Sequence, residues 1–195
     1  MPNWCSTNIY INHKNKDKLK TFYDLIQKWT SVNYKKNGFG LRWLGNIVGN
    51  SGIDSCDEYG HFSIRCRGEI VDMDLHDDQI TIYTETAWSP MVQLWVKVLE
   101  RYLPDAELIY SAEETGCGIF WTNDPTLAGR YCIDSWNNDI MSDPELRESE
   151  SVKLLKEQLV TVENDIDTLI KMLEDSDIED VSINKWEYVD VHDLD

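Results

Sequence analysis

The sequence has few cysteines and no long hydrophobic run, and each shortage removes a class of protein. The five cysteines among 195 residues (Cys5, Cys56, Cys66, Cys117, Cys132) are sparse and odd in number. A secreted disulfide scaffold would be denser, so free buried thiols are expected. No apolar run approaches the roughly 20 residues of a membrane-spanning helix, and no membrane association is expected. The opening Met1-Pro2-Asn3-Trp4-Cys5 carries no basic segment leading into an apolar one. No secretory signal is therefore expected, and the protein is placed in the cytoplasm.

Catalytic signatures are missing as well. There is no G-x-S-x-G and no C-x-x-C, and neither Gly38-Phe39-Gly40 nor Gly116-Cys117-Gly118 is followed by a phosphate-binding lysine. Cys56, His61 and Cys66 stand five apart, which puts His61 and Cys66 on opposite faces of a strand and disfavours a zinc site. Glu113 and Glu114 are adjacent and would also point to opposite faces, so they do not form a general acid/base pair. No catalytic residue, metal or cofactor is expected.

Basic residues are scarce overall but not evenly so. The chain holds 36 acidic against 18 basic residues, a net charge of −18. Residues 1–43 nevertheless carry eight basic side chains against two acidic ones, while residues 136–195 carry five against eighteen. An acidic surface of that size repels nucleic acid and attracts basic protein surfaces.

What is present reads as an α+β domain at 1–135 followed by an acidic helical extension at 136–195. Trp4–Ile11 alternates as a strand, and residues 16–29 repeat apolar side chains at helical spacing, with the lysines on the opposite face. Residues 31–60 are rich in glycine and asparagine and read as a long irregular insertion, a kind of loop that is more often functional than not. Strands follow at 61–73 and 79–86 as an antiparallel hairpin. A helix starting at Ser89-Pro90 runs to Tyr102, a strand covers 107–111, and shorter strands lie at 118–121 and 128–134. The order β-α-β-β-α-β predicts a ferredoxin-like split βαβ antiparallel sheet with two helices on one face.

In the extension, Ser142-Asp143-Pro144-Glu145 reads as a capping box. A heptad seam follows over 152–173, formed by Val152, Leu155, Leu159, Val162, Ile166, Leu169 and Leu173. It predicts one long helix, packed on its own domain, joined in a homodimer, or docked with a partner helix. Beyond it lie the acidic residues Glu174, Asp175, Asp177, Glu179 and Asp180, then a terminal strand over 181–191 with Trp186 and Tyr188 on one face.

Several motifs carry a family resemblance. Met1-Pro2-Asn3-Trp4-Cys5 with Asn8, Trp88-Ser89-Pro90, Tyr102-Leu103-Pro104, and Tyr110 with Glu113 and Gly116 occur in an order that resembles the YubB ferredoxin-like (Api92-like) domain family of phages and plasmids. The resemblance spans residues 1–135. It implies a mobile-element protein acting in a bacterial host, with no catalytic residues, and Trp4, Asn8 and Trp88 as fold-defining positions.

Three functions are carried forward. The first is a non-catalytic inhibitor of a host defence nuclease system, of the anti-CRISPR type. It would bind the basic nucleic-acid surface of a host protein such as a Cas effector, through Glu174, Asp175, Asp177, Glu179, Asp180, Asp190, Asp193 and Asp195 as an acidic nucleic-acid mimic. The second is a single-stranded nucleic-acid-binding module using Tyr10, Tyr83 and Tyr110 on the sheet and the lysine-rich first helix, against which the net charge argues. The third is an enzyme with an unrecognised site in the insertion and the Gly116–Gly118 turn.

Overall fold

The computed structural model describes residues 3–35, 39–135, 146–176 and 181–194. The chain is α+β and divides into two units, one ending at Ile119 and rejoined from Val189 onward, the other spanning Phe120–Tyr188.

Unit 1 is built on strand β1 (Trp4–Asn12), in which Cys5, Thr7, Ile9 and Ile11 are buried and the intervening side chains are not. It pairs antiparallel with β3 (Gln79–Ala87) on one side and β4 (Glu107–Glu114) on the other, and β3 pairs antiparallel with β2 (Gly68–Leu75). The strands thus run in the order β2-β3-β1-β4. Helix α1 (Lys16–Thr30) begins where the side chain of Asn15 accepts a hydrogen bond from the Lys18 backbone N–H at 3.0 Å, and it buries Leu19, Phe22, Ile26 and Trp29. Helix α3 (Val92–Tyr102) buries Leu94, Trp95, Val98 and Leu99. On the sheet, the side chains of Ile9, Ile11, Ile80 and Ile82 are buried and mark the face turned to the core. At the returning end of the chain, the Tyr110 hydroxyl donates to the Val189 carbonyl at 2.9 Å and Gln93 Nε2 to that of Val191 at 2.6 Å.

Three local readings change. The Ser89-Pro90 helix start moves two residues on: Met91 occupies the N-cap position without a side-chain hydrogen bond, and the Ser89 carbonyl accepts from Thr86 Oγ1 at 2.8 Å. The strand expected from residue 61 begins only at Gly68. Upstream, the backbone N–H groups a strand would pair are taken by side chains: Asp57 Oδ1 accepts from Tyr59 and His61, and Asp54 Oδ2 from Ser63 and Ile64. The insertion is not wholly irregular, since Leu44–Ser51 forms helix α2, closed by Gly52 in the left-handed region at φ 69°.

Unit 2 contains the later part of β5 (Ile119–Thr122), then β6 (Tyr131–Ser135), α4 (Glu148–Leu159), α5 (Ile166–Glu174), β7 (Val181–Lys185) and β8 (Glu187–Tyr188). Strands β6 and β7 pair antiparallel, and β5 and β8 pair in parallel. The expected capping box at 142–145 lies outside the described residues; Glu150 instead accepts from the Arg147 backbone N–H at 2.8 Å at the start of α4.

The single long helix is overturned. Val160, with φ 50°, sits in the left-handed region and ends α4, and Asp165 starts α5 by accepting from the Thr168 N–H at 2.9 Å and its hydroxyl at 2.7 Å. Leu155, Ile166, Leu169 and Leu173 of the expected seam are packed with Tyr131 and Ile133 in the unit's own core, Val152 and Leu159 are half-buried at its margin, and Val162 is exposed. The seven residues therefore share no one helical face. The segment expected as one terminal strand is two short ones, with Trp186 buried between them and Tyr188 exposed.

A β-branched residue in the left-handed region is strained, by about 1–2 kcal/mol for an L-residue. Val160 is 90% exposed, so its side chain contributes no packing. The Val160→Gly variant should raise stability by about 1 kcal/mol in urea unfolding. A loss of similar size, as glycine inside a helix brings, would mean that α4 and α5 are continuous.

Candidate functional site

Three regions hold the chemistry-bearing residues, and each is taken within its own unit. The first is the end of the sheet where β1 starts. Trp88, with φ 73°, donates its backbone N–H to the Asn3 carbonyl at 2.9 Å, and Trp4 pairs with Ala87. A Cβ on Gly116 would stand 2.5 Å from Asn3 Nδ2 and 2.9 Å from Glu114 Oε1, so a larger residue there would have to displace the ends of those two side chains. Glu114 is buried and accepts from the Gly116 N–H at 2.9 Å. These residues hold β1, β3 and β4 together at one end.

Cys5 is fully buried nearby, its sulfur 3.8 Å from the Thr7 hydroxyl. Burial pushes its thiol up to about 11, against hydrogen bonds from Thr7 and Thr86 that pull the other way. Cys66 is likewise pushed up to about 11 by burial. A thiol so raised is a poor nucleophile at neutral pH. Among the described residues, no group of three His, Cys, Asp or Glu side chains is placed to hold a metal ion.

The second region is the helix-free face of the unit 1 sheet. Directly opposed residues share a face, so the register defines it: Ser6, Asn8, Tyr10 and Asn12 of β1 lie beside Glu85, Tyr83, Thr81 and Gln79 of β3 and beside Glu113, Ser111, Ile109 and Glu107 of β4. Strand β2 adds Glu69, Asp72 and Asp74 opposite Glu85, Tyr83 and Thr81. The face thus carries six carboxylates, of which all but the half-buried Glu85 are exposed, and no lysine or arginine occurs in any of the four strands. Tyr110, expected there, points to the other side and is fully buried. Tyr10 and Tyr83 therefore share this face without Tyr110.

The residues expected to bind a partner are dispersed. Glu174 and Asp175 are exposed at the end of α5 in unit 2. Asp190 and Asp193 belong to unit 1, where Asp190 is half-buried and accepts from the His192 N–H at 2.9 Å. Asp177, Glu179, Asp180 and Asp195 lie outside the described residues.

The third region is a groove of about 870 Å3 formed where the insertion meets β2. Its aromatic lining comprises Trp4, Tyr34, Phe39, Trp43, Tyr59 and Phe62, and its charged lining comprises Lys35, Arg65, Arg67 and Glu69. Local sequence explains how the rings are held. On α2, Gly45 and Gly49 are one turn apart, and a Cβ at either would stand 2.3 Å from the Trp43 ring or 2.2 Å from the Tyr34 ring. The two rings therefore lie directly on helix backbone. Fully buried Asn46 accepts from the Tyr34 N–H at 2.8 Å and donates to the Gly40 and Leu41 carbonyls at 2.8 and 2.9 Å. Backbone pairing of Trp43 with Glu69, and the Ile70 N–H to Arg42 carbonyl bond at 2.9 Å, fasten the insertion to β2.

The rings form a chain, Phe39 to Trp43 at 4.9 Å between centroids, Trp43 to Phe62 at 6.1 Å and Phe62 to Tyr34 at 5.5 Å. Lys35 Nζ stands 5.7 Å from the Tyr34 ring and 2.7 Å from Cys56 Sγ, and the latter hydrogen bond holds its ammonium above the usual lysine range. Sequence reading flagged the insertion but missed the groove, since its lining comes from segments as far apart as Trp4 and Glu69.

Comparison with known proteins gives no relative: no family model, no curated protein and no solved structure matches this chain.

Thiol chemistry provides a direct check on the placement of the cysteines. Iodoacetamide at pH 8, read by mass spectrometry, should modify exposed Cys117 and half-buried Cys56 while Cys5, Cys66 and Cys132 react only after unfolding. Because the folded state holds the Cys5 and Cys66 protons more tightly than the ordinary value of 9.0, stability should fall as pH rises from about 9 towards about 11.

Proposed function

We propose that the protein is a non-catalytic inhibitor that docks on the basic nucleic-acid-binding surface of a host defence protein, such as a Cas effector, and that unit 1 is a ferredoxin-like split βαβ domain of the YubB-like type. The strand order β2-β3-β1-β4, with antiparallel neighbours and helices α1 and α3 on one face, supports the fold reading. One observation carries the function: the open face of that sheet presents carboxylates on three of its strands and offers no cation.

Alternate residues on a strand stand about 7 Å apart, and neighbouring strands about 4.8 Å apart. Asp72 and Asp74 along β2, and Glu69 beside Glu85 across it, therefore form a two-dimensional array of fixed negative charge. Such an array meets a basic groove where phosphates would otherwise lie, and electrostatic complementarity of this kind raises association rate and specificity. Within unit 1, Asp193 is a further exposed carboxylate; within unit 2, Glu174 at the end of α5 and its C-cap Asp175 are exposed as well. No carboxylate of α4 or α5 forms an ion pair within the described residues.

The test is inhibition of target cleavage by such an effector, measured across a salt series. Inhibition should weaken steeply as salt shortens the screening length from about 10 Å at 0.1 M. The variant Asp72→Asn/Glu85→Gln/Glu113→Gln should bind at least about tenfold more weakly, which is the equivalent of 1.4 kcal/mol. A variant neutralised only at Glu174 and Asp175 measures the share carried by the extension. Inhibition indifferent to salt and to both variants would rule out nucleic-acid mimicry.

A further inference from the structure

We infer that the aromatic groove between Tyr34–Lys35, Phe39–Trp43 and Tyr59–Glu69 is a binding site for a short unpaired nucleic-acid segment, its bases stacked on the exposed rings and its phosphates held by Lys35, Arg65 and Arg67. Three large rings on its rim are open to solvent: Trp4 is 52% exposed, Phe39 68% and Tyr59 77%. Aromatic surface gathered in one place and left wet marks an interaction site. The groove's size, about 870 Å3, lies within the range of ligand sites.

The charge of the lining selects the occupant. In a protein of net charge −18, this groove presents three cations against the single carboxylate of Glu69. Of the acids that flank the lining in sequence, Asp54 is engaged by the Ser63 and Ile64 N–H groups and Asp57 by those of Tyr59 and His61, while Glu58 is exposed beside Tyr59 and is not part of the lining. An acidic peptide would satisfy the cations and leave the rings idle, and an apolar peptide would do the reverse. An unpaired strand uses both, since every base has a flat face and every linkage a charge. The carboxylates of the open sheet face repel that strand elsewhere on the unit, so the contact is confined to a few nucleotides. This site uses residues other than the open-face carboxylates Asp72, Glu85 and Glu113, and it stands or falls apart from the inhibitor reading.

The experiment is fluorescence anisotropy with the full chain and labelled oligo(dT) and oligo(U) of about ten nucleotides, within the site sizes of single-strand binders, at about 50 mM salt. Saturable binding with quenching of tryptophan fluorescence is expected for the native sequence. Phe39→Ala/Tyr59→Ala, which removes two exposed rings, should weaken binding about tenfold or more, given the worth of base–aromatic stacking. Arg65→Gln/Arg67→Gln should flatten the slope of log affinity against log salt by about 1.4, at about 0.7 per cation for single strands. Glu85→Gln/Glu113→Gln should not weaken it. The inference is overturned if the native protein binds neither oligonucleotide, if binding survives the double ring variant, or if a polyglutamate peptide competes as well as an oligonucleotide does.

Discussion

The alternation along β1, read against both of its neighbours, is the constraint on which the rest of unit 1 depends. Because β1 is central and paired on both edges, its register with β3 and β4 fixes which side chains meet the helices and which meet water. Cys5, Thr7, Ile9 and Ile11 go into the core; Ser6, Asn8, Tyr10 and Asn12 go outward. A slip of β1 by one residue would turn Ser6, Asn8, Tyr10 and Asn12 towards the core and Cys5, Thr7, Ile9 and Ile11 into solvent. Burying those polar side chains without partners and exposing the apolar ones makes that alternative unfavourable.

The same alternation separates charge from aromatic surface. Glu69 stands directly opposite Glu85, an arrangement that like-charge repulsion makes unfavourable for the sheet. Around the corner, at the β2 edge, the insertion does the opposite, collecting rings and cations in one groove. Fastening the insertion through Trp43 and Arg42 also covers an edge strand that would otherwise offer unpaired backbone to other chains. One domain thereby carries two surfaces of opposite electrostatic character.

Much of unit 1 was legible from periodicity alone. The alternation of Trp4–Ile11, the helical spacing of Leu19 through Trp29, and the apolar face of Leu94, Trp95, Val98 and Leu99 are each long enough to be read locally. Helix α2 was hidden because Gly45 and Gly49 depress helix propensity, and their reason for being there, contact with the Trp43 and Tyr34 rings, is tertiary. The long helix was over-read because heptad spacing ignores caps: Asp165 with Thr168 starts a new helix inside an unbroken apolar pattern. The acidic sheet face was within reach of parity reasoning, since Glu85 and Glu113 alternate with inward-facing Thr84 and Ala112.

The central claim is that the open sheet face, rather than the extension, is where a basic partner docks. At 22.7 kDa the protein is suited to amide NMR titration, and a lysine-rich peptide serves as a defined basic probe. The account predicts that amide shifts move first and furthest at Asp72, Asp74, Glu85, Glu113 and their strand neighbours, and that the movement fades with added salt. Shifts confined to α4 and α5, or spread evenly over every surface carboxylate, would contradict it.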